Sequence, residues 1–256
     1  MAKSKYEYVK LYETDDRLLP GCWIVVRLDG KGFTKFCELH EFEKPNDLRA
    51  LCLMDEAAKA VVGEFQDIRM AFGESDEYSF VFSKSCELYG RRASKLVSLV
   101  ASLFSAAYVR FWPAHLPDTP LAATPMFDGR AVLYPADSTL RDYLSWRQAD
   151  THINNLYNTC FWALVQSGKT TAEAHAELRG SLSDYKNELL FSRFGINYST
   201  LPERFRKGSV VIRQRVTVQK QMPDGRTKQK ERLEPVVLHC DIIRDDFWRQ
   251  HPELLA

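Results

Sequence analysis

An α+β fold is predicted for this chain of 256 residues, and three observations predict it. Four short runs rich in β-branched and aromatic residues, at 22–28, 67–73, 77–82 and 127–134, have the length and composition of strands. Two stretches repeat apolar residues at helical spacing, one between the first and second runs and one between the third and fourth. The resulting order, β-α-β-β-α-β, is the ferredoxin-like one. It implies a sheet order of 4-1-3-2, with the first and third strands as antiparallel neighbours.

Taken in order, residues 1–20 are polar and mixed in charge, and they read as a short lead-in helix closed by the turn at Pro20-Gly21. Cys22–Leu28 reads as a strand buried on both faces. It runs into Asp29-Gly30-Lys31-Gly32-Phe33, where two glycines let the backbone approach a ligand and turn N–H groups toward a phosphate. Lys44-Pro45-Asn46-Asp47 introduces the first main helix, with Asn46 or Asp47 as N-cap. Its apolar face is Leu51, Met54, Ala58, Val61, Val62 and Phe65.

Ile68–Phe72 and Tyr78–Phe82 flank Gly73-Glu74-Ser75-Asp76-Glu77, a hairpin with an acidic turn. The second helix is expected over 87–111, with Leu96, Val100, Leu103, Ala107 and Phe111 as its buried stripe. Arg91, Arg92 and Lys95 occupy its first turns, where the helix dipole favours acids, so an anion is expected there. Four prolines make 113–125 a loop before the fourth strand.

Asp137 to Gly168 reads as one long helix, and Thr170-Thr171-Ala172-Glu173 opens a shorter one ending near Gly180. Residues 184–207 mix basic and aromatic side chains. Val210–Val218 and Pro235–His239 flank a basic segment around Pro223-Asp224-Gly225, a hairpin with a long solvated tip. The expected division is a catalytic domain at 1–136 and a helical and β-hairpin extension at 137–256, packed together as one unit.

Composition narrows the function. Hydrophobic content of 45% and charged content of 27% suit a soluble enzyme. A net charge of +1 means that nucleic acid would be met by local patches. The six cysteines include no C-x-x-C pair, which argues against a zinc site or a disulfide framework and for a reducing compartment. No N-terminal apolar signal and no uninterrupted membrane-length apolar run is visible, so a cytoplasmic protein without a membrane partner is expected.

The chemistry gathers at the acids. Asp29 alone reads as a strand-closing residue, and Ser75-Asp76-Glu77 alone as a solvated turn. The deduced topology sets them side by side, where like charges repel unless a cation neutralises them. Oxygen donors without His or Cys suit magnesium, and a pair of such ions suits phosphoryl or nucleotidyl transfer, as in a polymerase palm. Lys44, Arg91, Arg92 and Lys95 are candidate triphosphate clamps. His152-Ile153-Asn154-Asn155-Leu156-Tyr157-Asn158 carries three asparagines inside a helix, where propensity favours other residues, and His and Asn read RNA well. The competing reading is a non-catalytic RRM-like RNA-binding module of the same strand order, which would stack bases on aromatic residues of its central strands. Here the strand ends carry acids instead.

Five stretches, Arg27-Leu28-Asp29-Gly30-Lys31, Lys44-Pro45-Asn46-Asp47, Glu74-Ser75-Asp76-Glu77, His152–Asn158 and His239-Cys240-Asp241-Ile242-Ile243, closely resemble the eukaryotic tRNA(His) guanylyltransferase family. The resemblance covers nearly the whole chain. It implies a palm domain, two Mg2+ ions, a homotetramer, and 3′→5′ addition of one guanosine to the 5′ end of tRNA(His). ATP would adenylylate the tRNA 5′-phosphate, the GTP 3′-hydroxyl would attack it, and pyrophosphate would then be removed.

By the same resemblance, metal falls on Asp29, the Gly30 carbonyl and Asp76, with Asp29, Asp76 and Glu77 catalytic. Nucleotide contacts fall on Asp29, Gly30, Lys31, Gly32, Phe33, Thr34, Lys44, Asn46, Asp47, Ser75, Asp76, Glu77, Arg92 and Lys95. Contacts to tRNA fall on His152, Asn155, Lys186 and Asn197. Thr34 departs from the family, whose members commonly carry His there. A template-dependent 3′→5′ tRNA repair polymerase is the rival within the class. A mitochondrial or nuclear share stays open beside the cytoplasm.

Overall fold

Trp23, Ile24, Val25, Val26 and Leu28 have no exposed surface, so the first strand is covered on both faces as its composition predicts. The computed structural model describes residues 4–221 and 227–256. Six strands form one antiparallel sheet: β1 (Trp23–Gly30), β2 (Ile68–Glu74), β3 (Glu77–Phe82), β4 (Phe127–Tyr134), β5 (Ser209–Gln221) and β6 (Thr227–Leu238). The sheet order is β4-β1-β3-β2-β5-β6, in a mixed α and β chain. The first four strands therefore neighbour one another as expected. The C-terminal hairpin is no separate appendage, because Ser209–Ile212 pairs with Met70–Gly73. Met70, Ala71 and Phe72 would otherwise leave an apolar strand edge open, and Val210, Val211 and Ile212 cover it.

The alternation of β1 sorts the core into two layers. Ile24, Val26 and Leu28 pack with α2 (Leu48–Glu64) and α3 (Ala93–His115). Trp23 and Val25 face the opposite layer, built on Leu140, Tyr143 and Leu144 of α4 (Asp137–Gln166) and on Phe247 and Trp248 of the C-terminal segment. Of the two candidate caps for α2, Asp47 fills the role: its carboxylate accepts from the N–H of Arg49 at 2.9 Å and of Ala50 at 3.3 Å. Leu53, Met54, Ala57, Ala58, Val61 and Val62 are buried on that helix, while Leu51 lies at the margin.

Several elements differ from expectation. Helix α1 (Phe33–Leu39) follows the glycine turn directly, because Phe33 and Phe36 bury their rings against α3. Helix α3 starts at 93 rather than 87, after a 3-10 turn in which Tyr89 and Gly90 have φ of 54° and 63°. Its buried stripe is Leu96, Val100, Phe104, Ala107, Tyr108 and Trp112, so Leu103 and Phe111 fall on its flanks. It also runs through Pro113 into the expected loop. An 18-residue window of this 23-residue helix has a mean hydropathy of 1.4, long and apolar enough for a membrane span, but the buried stripe packs on the sheet.

Arg91 is a correction. It is 3% exposed and donates to the carbonyls of Leu18, Leu19, Cys22, Lys84 and Cys86, which makes it a structural brace rather than an anion clamp. Past α4, helices α5 (Thr171–Leu178) and α6 (Ser183–Phe194) close a third cluster around Leu156, Cys160 and Leu164. Thr170 and Glu173 form a reciprocal cap at the start of α5, where a helix was expected to open. A short α7 (Glu203–Lys207) leads into β5, and α8 (Asp245–Gln250) follows β6. The Pro223-Asp224-Gly225 turn lies outside the described residues.

Candidate active site

Antiparallel pairing of β1 with β3 sets Asp29 directly opposite Glu77, and the Gly30 N–H donates to the Asp76 carbonyl at 3.1 Å. Gly30 is required by this crossing. A Cβ there would meet the Phe33 ring at 2.4 Å and the Asp76 Oδ2 at 2.8 Å, so the carboxylate lies over bare backbone. Ser75 makes the turn with φ of 49°.

Burial pushes the Asp76 carboxyl above the usual range, and the charges of Asp29 and Glu77 add to the push. Among the described residues no three His, Cys, Asp or Glu side chains converge as a metal cluster. What the strand ends offer a cation is two carboxylates, Asp29 and Asp76, with the Gly30 backbone between them. That is an all-oxygen donor set suited to magnesium, and a cation there would relieve the strain on Asp76.

Glu77 is differently engaged. Arg147 of α4 donates to its carboxylate at 3.1 Å, and the Arg27 Nε lies 3.6 Å away. Arg147 also reaches Glu74 at 3.4 Å and Asp150 at 3.1 Å, with its guanidinium 3.7 Å over the Trp146 ring. Burial raises the Glu74 carboxyl to about 7, Glu77 adding to the rise while the Thr151 hydroxyl and Arg147 oppose it. The two glutamates thus flank the Ser75-Asp76 turn and tie it to α4. Glu77 braces the turn and is not a free carboxylate.

A cavity of about 410 Å³ opens beside this turn. Of the predicted residues, Phe33, Thr34, Lys44, Asn46, Asp47, Ser75, Asp76 and Asn155 line it. Lys44 holds its amine 5.6 Å from the Trp162 ring centre. The Asn46 amide donates to Asn155 at 2.9 Å, and Asn155 donates to the Tyr198 hydroxyl at 3.1 Å, a chain joining the α2 entry to α4. Asp47 is burdened by its cap and by Arg49, whose guanidinium lies 2.6 Å away. Burial raises its carboxyl, but hydrogen bonds from Arg49, Glu43 and Ala50 prevail and hold it below the usual range.

Asp29, Gly30, Lys31, Gly32 and Glu77 sit behind or beside the cavity wall, while Arg92 and Lys95 lie away from it at the start of α3. Arg92 is 3.6 Å from Asp16, and Lys95 lies over Tyr89. His152, Lys186 and Asn197 are also outside. His152 packs edge-on to Tyr198, and burial first, then Arg206, pushes its imidazole pKa down. Lys186 donates to the Ser181 carbonyl at 2.7 Å, and the Asn197 carboxamide caps the turn at Ser199.

Several cavity residues carried no assignment from the sequence. Asn154, Tyr157, Asn158, Trp162 and His175 form the far wall, with the Tyr157 hydroxyl 2.7 Å from the His175 Nδ1. Tyr157 and the two asparagines belong to the asparagine-rich stretch, which is the one signal that marked them. Tyr78 donates to Asp55 at 2.7 Å, and Asp55 pairs with Arg204. A contact between residues so distant in the chain leaves no local trace.

The chain is a nucleotidyltransferase. The chain belongs to the tRNA(His) guanylyltransferase family. A family model described as tRNAHis guanylyltransferase matches residues 6–135, and a second, described as Thg1 C terminal domain, matches residues 138–244. The tRNA(His) guanylyltransferase of Schizosaccharomyces pombe is 56% identical, over 99% of this chain and 98% of that one. The crystal structure of the Saccharomyces cerevisiae tRNA(His) guanylyltransferase matches with a TM-score of 0.78 and 50% identity, covering 80% of this chain and 92% of that one. A bacterial Thg1-like protein in complex with ATP shares the fold at 21% identity, with a TM-score of 0.77 over 99% of both chains.

Proposed function

We propose that this protein adds a single guanosine to the 5′ end of tRNA(His). ATP adenylylates the tRNA 5′-phosphate with release of pyrophosphate. The 3′-hydroxyl of GTP then attacks that phosphorus and expels AMP, and removal of pyrophosphate leaves a new 5′-monophosphate. The observation that carries the reading is the meeting of Asp29, Gly30 and Asp76 at the end of the sheet. The bacterial relative's ATP supports nucleotide binding by this fold.

The β1–β4 half is read as a ferredoxin-like polymerase palm. Residues 1–136 form the catalytic domain and 137–256 an extension packed on it that contacts tRNA. Asp29, Asp76 and the Gly30 carbonyl would hold two Mg2+ ions. Bound there, magnesium would polarise the phosphoryl oxygens and sharpen the attacking hydroxyl.

The chain's own groups position the reactants. Lys44 and the Ser75 hydroxyl offer charge and a hydrogen bond to phosphates at the cavity wall. Lys31, Gly32, Phe33, Thr34, Asn46 and Asp47 shape the nucleotide's place. Arg92 and Lys95 would serve phosphates reaching the start of α3. Glu77 acts through Arg147, holding the Ser75-Asp76 turn. His152, Asn155, Lys186 and Asn197 form the tRNA side. A homotetramer working in the cytoplasm, with an organellar share left open, completes the proposal.

The test is incorporation of α-labelled GTP into 5′-monophosphorylated tRNA(His) with ATP, with and without magnesium, beside a tRNA(Phe) control. Label confined to tRNA(His) and dependent on ATP and metal is expected. Label in both RNAs would assign a repair polymerase. RNA binding without label in either would leave an RNA-binding module.

A further inference from the structure

Trp146 is a large ring left in solvent beside the catalytic turn. It is 55% exposed, yet it is not loose. The Arg147 guanidinium lies 3.7 Å over one face of the indole, and Tyr143 meets it edge-on at 6.2 Å between ring centres. Both supports are themselves fixed. Arg147 donates to Glu77 and Glu74, and the Tyr143 hydroxyl lies 2.6 Å from that of Ser79 in β3. With a cation on one face and more than half its surface open, the ring presents its other face outward on a rigid mount.

The acids define its place. Arg147 joins Trp146 to Glu77, which is the strand partner of Asp29 and the chain neighbour of Asp76. Trp146 lies outside the cavity, whose α4 wall begins at Thr151, more than a helical turn further along. A nucleotide seated in the cavity therefore leaves the Trp146 side of the turn free for the second reactant. The surroundings select what that reactant can place there. Arg27 and Arg147 are met by three carboxylates, Glu74, Glu77 and Asp150. A phosphate would find both cations already engaged, whereas a nucleobase brings an uncharged π-face to an aromatic ring.

We propose that the open face of Trp146 stacks on the base of the RNA's 5′-terminal nucleotide and thereby sets that nucleotide's phosphate beside Asp29 and Asp76. The stack reads no sequence, because every base has a π-face. The inference rests on the reading of the protein as an enzyme that acts on the 5′ end of tRNA.

The experiment uses the full chain and two RNAs: 5′-monophosphorylated tRNA(His), and the same tRNA with its 5′-terminal nucleotide made abasic and its phosphate kept. Guanosine transfer is measured for wild type, Trp146→Ala and Trp146→Phe. On the intact tRNA, Trp146→Ala is expected to lower kcat/KM on the order of tenfold, the size of one lost base–aromatic stack, while Trp146→Phe keeps most of it. On the abasic tRNA, wild type and Trp146→Ala are expected to be equal. Indole fluorescence supplies a reading that needs no turnover. Intact tRNA should quench wild type more than abasic tRNA does, and the excess should vanish in Trp146→Phe. The wild-type half of that comparison decides the matter should the alanine variant fail to fold.

Equal losses for Trp146→Ala on both RNAs would overturn the inference, because the ring would then serve only to hold Arg147. So would equal quenching by both RNAs. A change of assembly in Trp146→Ala by light scattering would overturn it too, making this face a contact between copies of the chain. A wild type that transfers nothing to either RNA would count against the proposed function, and the quenching comparison would then decide the stack by itself.

Discussion

Asp76 is held in a conflict of charge: burial raises its carboxyl first, and the Asp29 and Glu77 charges raise it further. Replacing it by Asn removes the buried charge and keeps the shape. In magnesium-free buffer Asp76→Asn is expected to unfold at the wild-type temperature or higher, by about 1 kcal/mol of added stability at most. Both adenylylation and guanosine transfer should fall on the order of a thousandfold, about 4 kcal/mol of lost transition-state stabilisation. Near-normal turnover in the folded variant would remove Asp76 from the chemistry. Glu74 offers a pH test. Its carboxyl is raised from 4.5 to about 7, so the folded state binds this proton more tightly than the unfolded chain does. Its contribution is therefore fully present below about 4.5 and lost as pH rises through 7. Glu74→Gln should be more stable than wild type by roughly 2 kcal/mol at pH 8, with the gain fading toward pH 5 in denaturant titrations. A constant difference across that range would show that Glu74 does not titrate there.

At the scale of elements, the β2–β3 turn owes its position to α4. Among the described residues Arg147 is the one cation that reaches both Glu74 and Glu77, and it is itself buried. Arg147→Met keeps the bulk of the side chain and leaves two buried carboxylates without their partner, which costs about 3–5 kcal/mol. Thermal unfolding should show the loss, and kcat/KM for nucleotide should drop, because the displaced part is the turn that carries Ser75 and Asp76. A mutant with wild-type stability would show that Arg27 suffices. The same pairing marks what could be read from the chain alone. β1, the hairpin and a helix start capped at Asn46 or Asp47 were legible because a strand run, an acidic turn and a helix start are local patterns. α1 was hidden because Gly32, which precedes it with φ of 68°, reads as the continuation of a turn. Arg91 looked like a free cation because the carbonyls that surround it come from two other segments. Glu77 stands in the acidic turn and Arg147 in the long helix after residue 137, and nothing in either stretch announces the other. The meeting of Asp29 with Asp76 was legible only through topology, since strand order places residues that no spacing relates.

For the whole molecule, the expected boundary near residue 136 crosses a shared core. Val210, Val211 and Ile212 bury completely along the β2 edge, and Ile242, Phe247 and Trp248 fill the layer beneath Trp23 and Val25. At roughly 1.5–3 kcal/mol for each buried apolar side chain, these groups contribute about 10 kcal/mol or more. That is comparable to the entire stability of an ordinary domain, about 5–15 kcal/mol. The N-terminal half also carries Met70, Ala71 and Phe72 on an edge that pairs with β5, and without it the edge would be an open apolar strand. Residues 1–136 expressed alone are therefore expected to aggregate or to lack cooperative unfolding. The full chain is expected to melt in one transition, with near-UV and far-UV signals coincident. A stable, monomeric 1–136 fragment with a sharp transition would show that the catalytic half has its own sufficient core. In that case β5 and β6 would be an accessory to the sheet and not part of what holds Asp29 and Asp76 together.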